Sequence, residues 1–317
     1  MNHKKPSICF VAHNAFGALA NEDKGHIGGI ERQQALMSHW LVKRGYQVSM
    51  LSWDEGFPDG ANINGTIVYK LCRRNDGVKV LRFFHPRWTS LVKAMKKANA
   101  DIYYYNCGDL ALGQIVCWAH RHKKKVLFSV ASDPDCDPNL PKLSSFREKY
   151  LYRYGIKRAD QVIVQTVKQQ KMLQTGFGIV AEMVKMPCVG FNSSNLTASL
   201  PFSSKPCRVL WIGRMSKEKR FEWLLELASR LPKLAFDVIG SANTGSLYAN
   251  TLLKKASSLP NVSLHGRLAH SQLADFYKHA SILCNTSLYE GFPNTFLEAW
   301  SVGMPVVSSV DPDNLIA

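Results

Sequence analysis

Glu290-Gly291-Phe292-Pro293-Asn294-Thr295-Phe296-Leu297-Glu298-Ala299 follows an apolar run, Ser281 to Cys284, and opens a segment of helical period that ends near Val302. Strand, glycine-containing polar loop and helix in that order make half of a βαβ unit, with the loop at the carboxyl end of a parallel sheet. Open α/β sheets bind ligands at that edge, and a helix N-terminus adds amides without intrahelical acceptors, so an anion is expected there. Thr295-x-x-Glu298 also fits a capping box, which would stabilise the helix start without any ligand. Glu290 to Pro293 has no role in such a cap.

The same alternation extends upstream. Strands are expected at Arg208–Ile212, Ala235–Ile239, Val262–Leu264 and Pro305–Ser308, with helices over Glu218–Ser229, Ser246–Ser257, Gln272–His279 and Thr295–Val302. An earlier set runs from Ile8–Ala12 through strands near Val48, Thr66, Ile102, Lys125, Gln161 and Glu182, with helices over Ile30–Lys43, Trp88–Ala98, Leu110–His120, Phe146–Arg158 and Val167–Thr175. Between Pro187 and Pro206 the periodicity lapses into Asn, Ser, Thr and Pro. The reading is an α/β protein of two Rossmann-like domains, 1–187 and 207–317, joined by a linker over 188–206.

Val209-Leu210-Trp211-Ile212-Gly213-Arg214-Met215-Ser216-Lys217-Glu218-Lys219-Arg220 ends a strand on a glycine and sets Arg214 and Lys219 at a strand-to-helix turn. A guanidinium grips phosphate oxygens through two bonds and a lysine supplies a point charge. Any one of these residues alone reads as surface charge; two cations at the mouth of the same sheet as the glutamate loop point to a bound anion.

Gly213-Arg214, then Glu218-Lys219, then Glu290 and Glu298 with seven residues between them and Ala299 after, form an ordered set that resembles the retaining glycosyltransferases of family four, with the GT-B fold. Gly28-Gly29-Ile30-Glu31 before a long helix resembles the glycine loop of the same family. The resemblance implies two doubly wound domains facing a central cleft. It implies that Arg214, Lys219 and Glu290 are catalytic, with the two cations on a donor diphosphate and Glu290 against the donor sugar. Glu298 would bind ribose hydroxyls, and Gly213, Phe292, Asn294 and Thr295 would line the donor. Gly28 and Gly29 would let backbone approach the pyrophosphate. All four charged side chains are then expected around one pocket. The implied reaction transfers a hexose from a nucleotide-sugar to a glycan or lipid-linked acceptor with retention, in cell-surface polysaccharide synthesis. Cations and amides stabilise the leaving diphosphate, so no metal or other cofactor is required. Pro293 has no N–H and cannot be one of the donors.

Two departures stand beside the likeness. Where many members carry a histidine after the strand near Val126–Val130, this chain reads Ser132-Asp133-Pro134-Asp135, and Asp133 falls on the acceptor or donor-sugar side. Asp133-Pro134-Asp135 also imitates a metal-binding D-x-D, although aspartates among prolines favour a turn and helix entry. The pattern further implies a strand and helices after Ala317, so the second domain is expected to be incomplete. An inactive nucleotide-sugar-binding remnant and a sugar-nucleotide epimerase on the same fold are the alternative functions.

Composition sets the remaining limits. Forty Lys and Arg against 24 Asp and Glu give a formal charge of +16, which favours anionic partners. No zinc-finger spacing or ribonucleoprotein signature accompanies the charge, so nucleic acid is not expected. The eight cysteines include no C-x-x-C pair, which argues against a metal cluster and for reduced thiols. Lys4-Lys5 before Ile8–Ala12 imitates a signal peptide, but that apolar run is too short. The expected location is cytoplasmic, with peripheral membrane association through the basic charge.

Overall fold

The computed structural model describes residues 5–22, 28–79, 81–191, 207–242 and 245–316. The chain divides into two compact units, Met1–Pro187 and Cys188–Ala317.

The first unit holds an eight-stranded sheet: β1 (Ile8–Val11), β2 (Val48–Ser52), β3 (Ala61–Ile63), β4 (Thr66–Lys70), β5 (Ile102–Tyr105), β6 (Lys125–Ser129), β7 (Gln161–Val164) and β8 (Glu182–Met183). Their order is β3-β4-β2-β1-β5-β6-β7-β8, and every pairing is parallel except β3 on β4. Its helices are α1 (Phe16–Ala20), α2 (Gly29–Lys43), α3 (Thr89–Ala98), α4 (Ala111–Arg121), α5 (Phe146–Arg158) and α6 (Val167–Phe177). Alternate residues of each strand enter opposite cores, as the two-residue period of a strand demands. Cys9, Val11, Tyr103 and Tyr105 pack with α3, α4 and α5, while Phe10 and Tyr104 pack with α1 and α2.

The second unit repeats the plan with β9 (Arg208–Ile212), β10 (Ala235–Ile239), β11 (Val262–Gly266), β12 (Ile282–Asn285) and β13 (Val306–Ser308), all parallel in the order β11-β10-β9-β12-β13. Its helices are α7 (Phe221–Arg230), α8 (Leu247–Ser257), α9 (His270–His279) and α10 (Asn294–Ser301). Val209 and Trp211 pack with α7 and α8 on one face, and Leu210 packs with α9 and α10 on the other.

Several expectations are corrected here. The helix expected from Glu218 begins at Phe221, because Lys217–Lys219 form a 3-10 turn and Arg220 lies in the left-handed region at φ 49°. Thr295 is not a helix cap: Pro293, extended at ψ 126°, precedes a helix that already begins at Asn294. Of the expected linker, 188–191 belong to the second unit and 192–206 lie outside the described residues.

Candidate active site

In the second unit the chain moves from β9 outward through β10 to β11, then returns to place β12 on the other side of β9. The crevice beyond the carboxyl ends of β9 and β12 is therefore the topological switch point, where open α/β sheets bind ligands. The loop after β9 carries Gly213, Arg214 and Lys219, and the loop after β12 carries Glu290.

Lys219 and Glu290 meet across this crevice as an ion pair, with side chains 23% and 15% exposed. Ser287 Oγ donates to the same Glu290 oxygen at 2.6 Å and Asn285 Nδ2 at 3.4 Å. The loops are fastened below the pair. Trp211 Nε1 donates to Thr286 Oγ1 at 3.0 Å, Thr286 Oγ1 donates to the Lys219 carbonyl at 2.7 Å, and the Leu288 amide donates to the Glu218 carbonyl at 2.7 Å. Lys219 is thus held by its main chain as well as its charge. Arg214 is half exposed and lies 3.7 Å from Glu218. Burial raises the pKa of Glu218, but hydrogen bonding and then the charges of Arg214 and Lys219 outweigh it, so this carboxyl titrates below its usual range.

Gly213 sits where the floor of the crevice is tightly packed. A β-carbon there would lie 3.1 Å from the Trp211 ring, and one on Gly240 would overlap the Gly213 carbonyl oxygen. Gly240 also has φ 151°, a conformation side chains rarely adopt.

Glu298 is 3% exposed on α10, and its contacts run to α9 and not to the Lys219 pair. Tyr277 Oη donates to Oε2 at 2.7 Å, and His270 Nε2 lies 3.0 Å from Oε1. Phe191 stacks on His270 with ring centroids 5.1 Å apart, its amide donates to Ser301 Oγ at 3.0 Å, and Cys188 Sγ donates to the Asn294 carbonyl at 3.7 Å. Residues 188–191 are thereby stitched along α10. The expected convergence of four charged side chains is met by direct contact only for Lys219 and Glu290. Arg214 is paired with Glu218, and Glu298 is committed to tyrosine and histidine. Phe292 lies half-buried against Trp300, and Asn294 and Thr295 form the first turn of α10, whose amides lack intrahelical acceptors.

The remaining candidates lie in the first unit. Gly28 precedes α2 with its amide bonded to Glu31 Oε2 at 2.9 Å, so this donor is already used within the loop, and Gly29 is the exposed first residue of the helix. Asp133 pairs with Lys168 at 2.6 Å and accepts from Gln169 Nε2 at 3.2 Å. Asp133–Asp135 form a 3-10 turn in which Asp135 turns back to the Ser132 amide at 3.0 Å. Sequence reading missed the switch point of this first sheet, between β1 and β5. There His13 stacks on Trp53 with centroids 4.6 Å apart, Tyr105 Oη donates to Asp109 at 2.7 Å, and among the described residues the buried Asn106 Oδ1 has no partner. These residues share no motif, so only the strand order reveals them. Burial lowers the His13 pKa, Asp109 opposes the shift and Arg87 adds to it.

Two α/β units in tandem, the first on a sheet parallel but for one strand pair and the second on an all-parallel sheet, have the fold of the GT-B glycosyltransferases. The chain belongs to this group: residues 27–187 match the family model for Glycosyltransferase Family 4 and residues 206–315 that for Glycosyl transferases group 1. Sucrose-phosphate synthase from Thermosynechococcus elongatus superposes with TM-score 0.70 at 20% identity, covering 96% of this chain and 81% of that one. HepE from Anabaena, solved with UDP and glucose, gives 0.68 at 18% identity, covering 96% and 80%. The amylovoran biosynthesis glycosyltransferase AmsD of Erwinia amylovora is 21% identical over 89% of this chain and 77% of its own length. The GtfA subunit of the UDP-N-acetylglucosamine–peptide N-acetylglucosaminyltransferase of Streptococcus pneumoniae is 28% identical over 49% of this chain, and the match spans 32% of that relative. Among the described residues no helix is long and apolar enough to cross a membrane.

Proposed function

We propose that this chain transfers a hexose from a nucleotide-sugar donor to a glycan or lipid-linked acceptor with retention at the anomeric carbon, in the synthesis of a cell-surface polysaccharide. The observation that carries the reading is the Lys219–Glu290 pair straddling the switch point of the second sheet, beside the N-terminus of α10. In the reaction the sugar–phosphate bond breaks, the anomeric carbon gains oxocarbenium character and the diphosphate gains charge. Lys219 and Arg214 receive that charge. Glu290, released in part from Lys219 as the phosphate arrives, faces the donor sugar. The first-turn amides of α10 meet phosphate or sugar oxygens, and Glu298 takes the ribose hydroxyls, held in place by Tyr277 and His270. Stabilisation of this kind acts through preorganised charge and needs no metal.

Gly28, Gly29 and Asp133 enter the proposal within their own unit, Gly29 as an anion-facing backbone and Asp133 on the acceptor side. The polysaccharide context draws support from the name of the AmsD relative, and a location at the cytoplasmic face of a membrane from the basic charge. A thermal-shift screen against UDP-, GDP- and ADP-sugars, followed by a transfer assay with the stabilising donor, tests the reading. A rise in melting temperature with one nucleotide class and label transfer to an acceptor are expected. Binding without transfer would leave only a nucleotide-sugar-binding protein, and an isomerised donor with no acceptor consumed would make it an epimerase.

A further inference from the structure

Residues 71–98 carry eight Lys or Arg and one acidic residue, Asp76. Within this stretch, residues 73–79 and 81–88 follow the carboxyl end of β4 and fold back on one another. The guanidinium of Arg87 donates to the Arg74 carbonyl at 3.0 Å, and the Phe83 ring, 9% exposed, packs edge-on against Trp88 at 5.7 Å. Those anchors leave the intervening apolar side chains outside: Val78 is 69% exposed, Leu81 60% and Phe84 56%. The start of α5 joins the same surface. Arg147 lies over the Phe83 ring, 4.2 Å from its centroid, and its neighbour Phe146 is 83% exposed.

A monomeric protein rarely exposes several large apolar side chains together. Here they stand among arginines that lack counter-charges: among the described residues no carboxylate pairs with Arg74, Arg82, Arg87 or Arg147. Arg87 carries the electrostatic mark of this crowding, since burial and then the nearby Arg82 and Arg74 lower its pKa. A purely apolar partner would leave the guanidinium groups desolvated without compensation, and a purely anionic one would leave Leu81, Phe84 and Phe146 in water. A lamella with acyl chains beneath a negative headgroup layer satisfies both, because the arginines reach the phosphates while the apolar tips enter the boundary region.

We propose that residues 81–88 and the N-terminus of α5 dock the protein on an anionic lipid bilayer, with Leu81, Phe84 and Phe146 inserted and Arg82 and Arg147 on lipid phosphates. The surface belongs to the first unit and does not rest on the donor assignment, so vesicle binding and sugar transfer can fail separately.

The test is co-sedimentation of the full chain with phosphatidylcholine vesicles, with and without about 30% phosphatidylglycerol. The wild type should partition at least about tenfold more strongly onto the anionic vesicles, and salt should weaken that binding. Leu81→Ser/Phe84→Ser and Arg82→Gln/Arg147→Gln should each lower the partition coefficient by about tenfold or more. Both variants should retain the wild-type melting temperature and donor binding. Equal partition onto neutral and anionic vesicles, or unchanged binding in both double variants, overturns the proposal. If a variant melts early, Phe146→Ser alone, on an 83% exposed side chain, decides the question.

Discussion

Replacing Lys219 by alanine separates the two tasks assigned to that ammonium. In the free protein it neutralises Glu290, whose side chain is 15% exposed. Two charges at hydrogen-bond distance attract by about 5 kcal/mol at an effective dielectric constant near 20. Desolvation of both groups offsets most of this, and Ser287 and Asn285 continue to donate to Glu290 after the substitution. A net loss of about 1–2 kcal/mol remains, which lowers the melting temperature of the second unit by about 3–8 °C. On the donor the loss is larger, because a preorganised charge facing a leaving diphosphate is worth about 2–4 kcal/mol. The kcat/KM of Lys219→Ala should therefore fall by about 30- to 1000-fold. Steady-state transfer kinetics and nucleotide-sugar titration of Lys219→Ala, Glu290→Gln and the double variant distinguish the tasks. If Lys219 grips the diphosphate, Lys219→Ala loses donor affinity and Glu290→Gln keeps it. If Lys219 serves only to neutralise Glu290, the double variant matches Glu290→Gln in both rate and affinity. That outcome, or a Lys219→Ala enzyme within about threefold of wild type, refutes the diphosphate assignment.

Glu298→Gln replaces one acceptor oxygen facing Tyr277 or His270 by an amide; a stability loss of about 1–2 kcal/mol and a rise of about tenfold in donor KM, with a smaller effect on kcat, are expected from urea denaturation and kinetics. Gly240→Ala should lower stability by at least about 2 kcal/mol, because the new methyl group meets a carbonyl that cannot move away; an unchanged urea midpoint would count against the close approach of the two strand ends. Excess chelator should leave transfer unaffected, and loss of turnover restored by a divalent ion would show that the cations do not suffice. His13 titrates below its ordinary value of 6.5 in the folded chain, so unfolding takes up a proton as pH falls below 6.5. Its contribution is whole above that pH and declines beneath it by at most about 1.4 kcal/mol per unit. His13→Gln should flatten the pH dependence of the melting temperature over that range.

The strands that buried both faces were legible in the sequence to the residue: Ile102–Tyr105, Gln161–Val164, Arg208–Ile212 and Ala235–Ile239 are short apolar runs bounded by breakers. Ala61–Ile63 escaped notice because two half-exposed residues around an exposed Asn62 make too short a run to carry a hydrophobic pattern. The signal lay in the next two positions, where Asn64 at φ 50° and Gly65 at φ 88° form the kind of turn that closes a tight hairpin. At the site, residue types and order located Lys219 and Glu290 but could not say which charges touch. Thr295 and Glu298 had the spacing of a cap, yet the fixed ring of Pro293 started the helix one residue earlier and left the glutamate free to face α9. Its partners His270 and Tyr277 lie 28 and 21 positions away, a separation that no local pattern encodes. Arg220 hid its effect for another reason, since nothing in arginine's propensity announces a left-handed backbone.

The meeting of Gly213 with Gly240 brings two main chains together with no side chain between them. A surface made of backbone offers selection nothing to vary, so under the proposed donor reading any change of preferred nucleotide or sugar falls to the side chains of the loops after β9 and β12, which carry Arg214 and Glu290. Libraries aimed at altering substrate choice should leave those two glycines untouched and spend their diversity there.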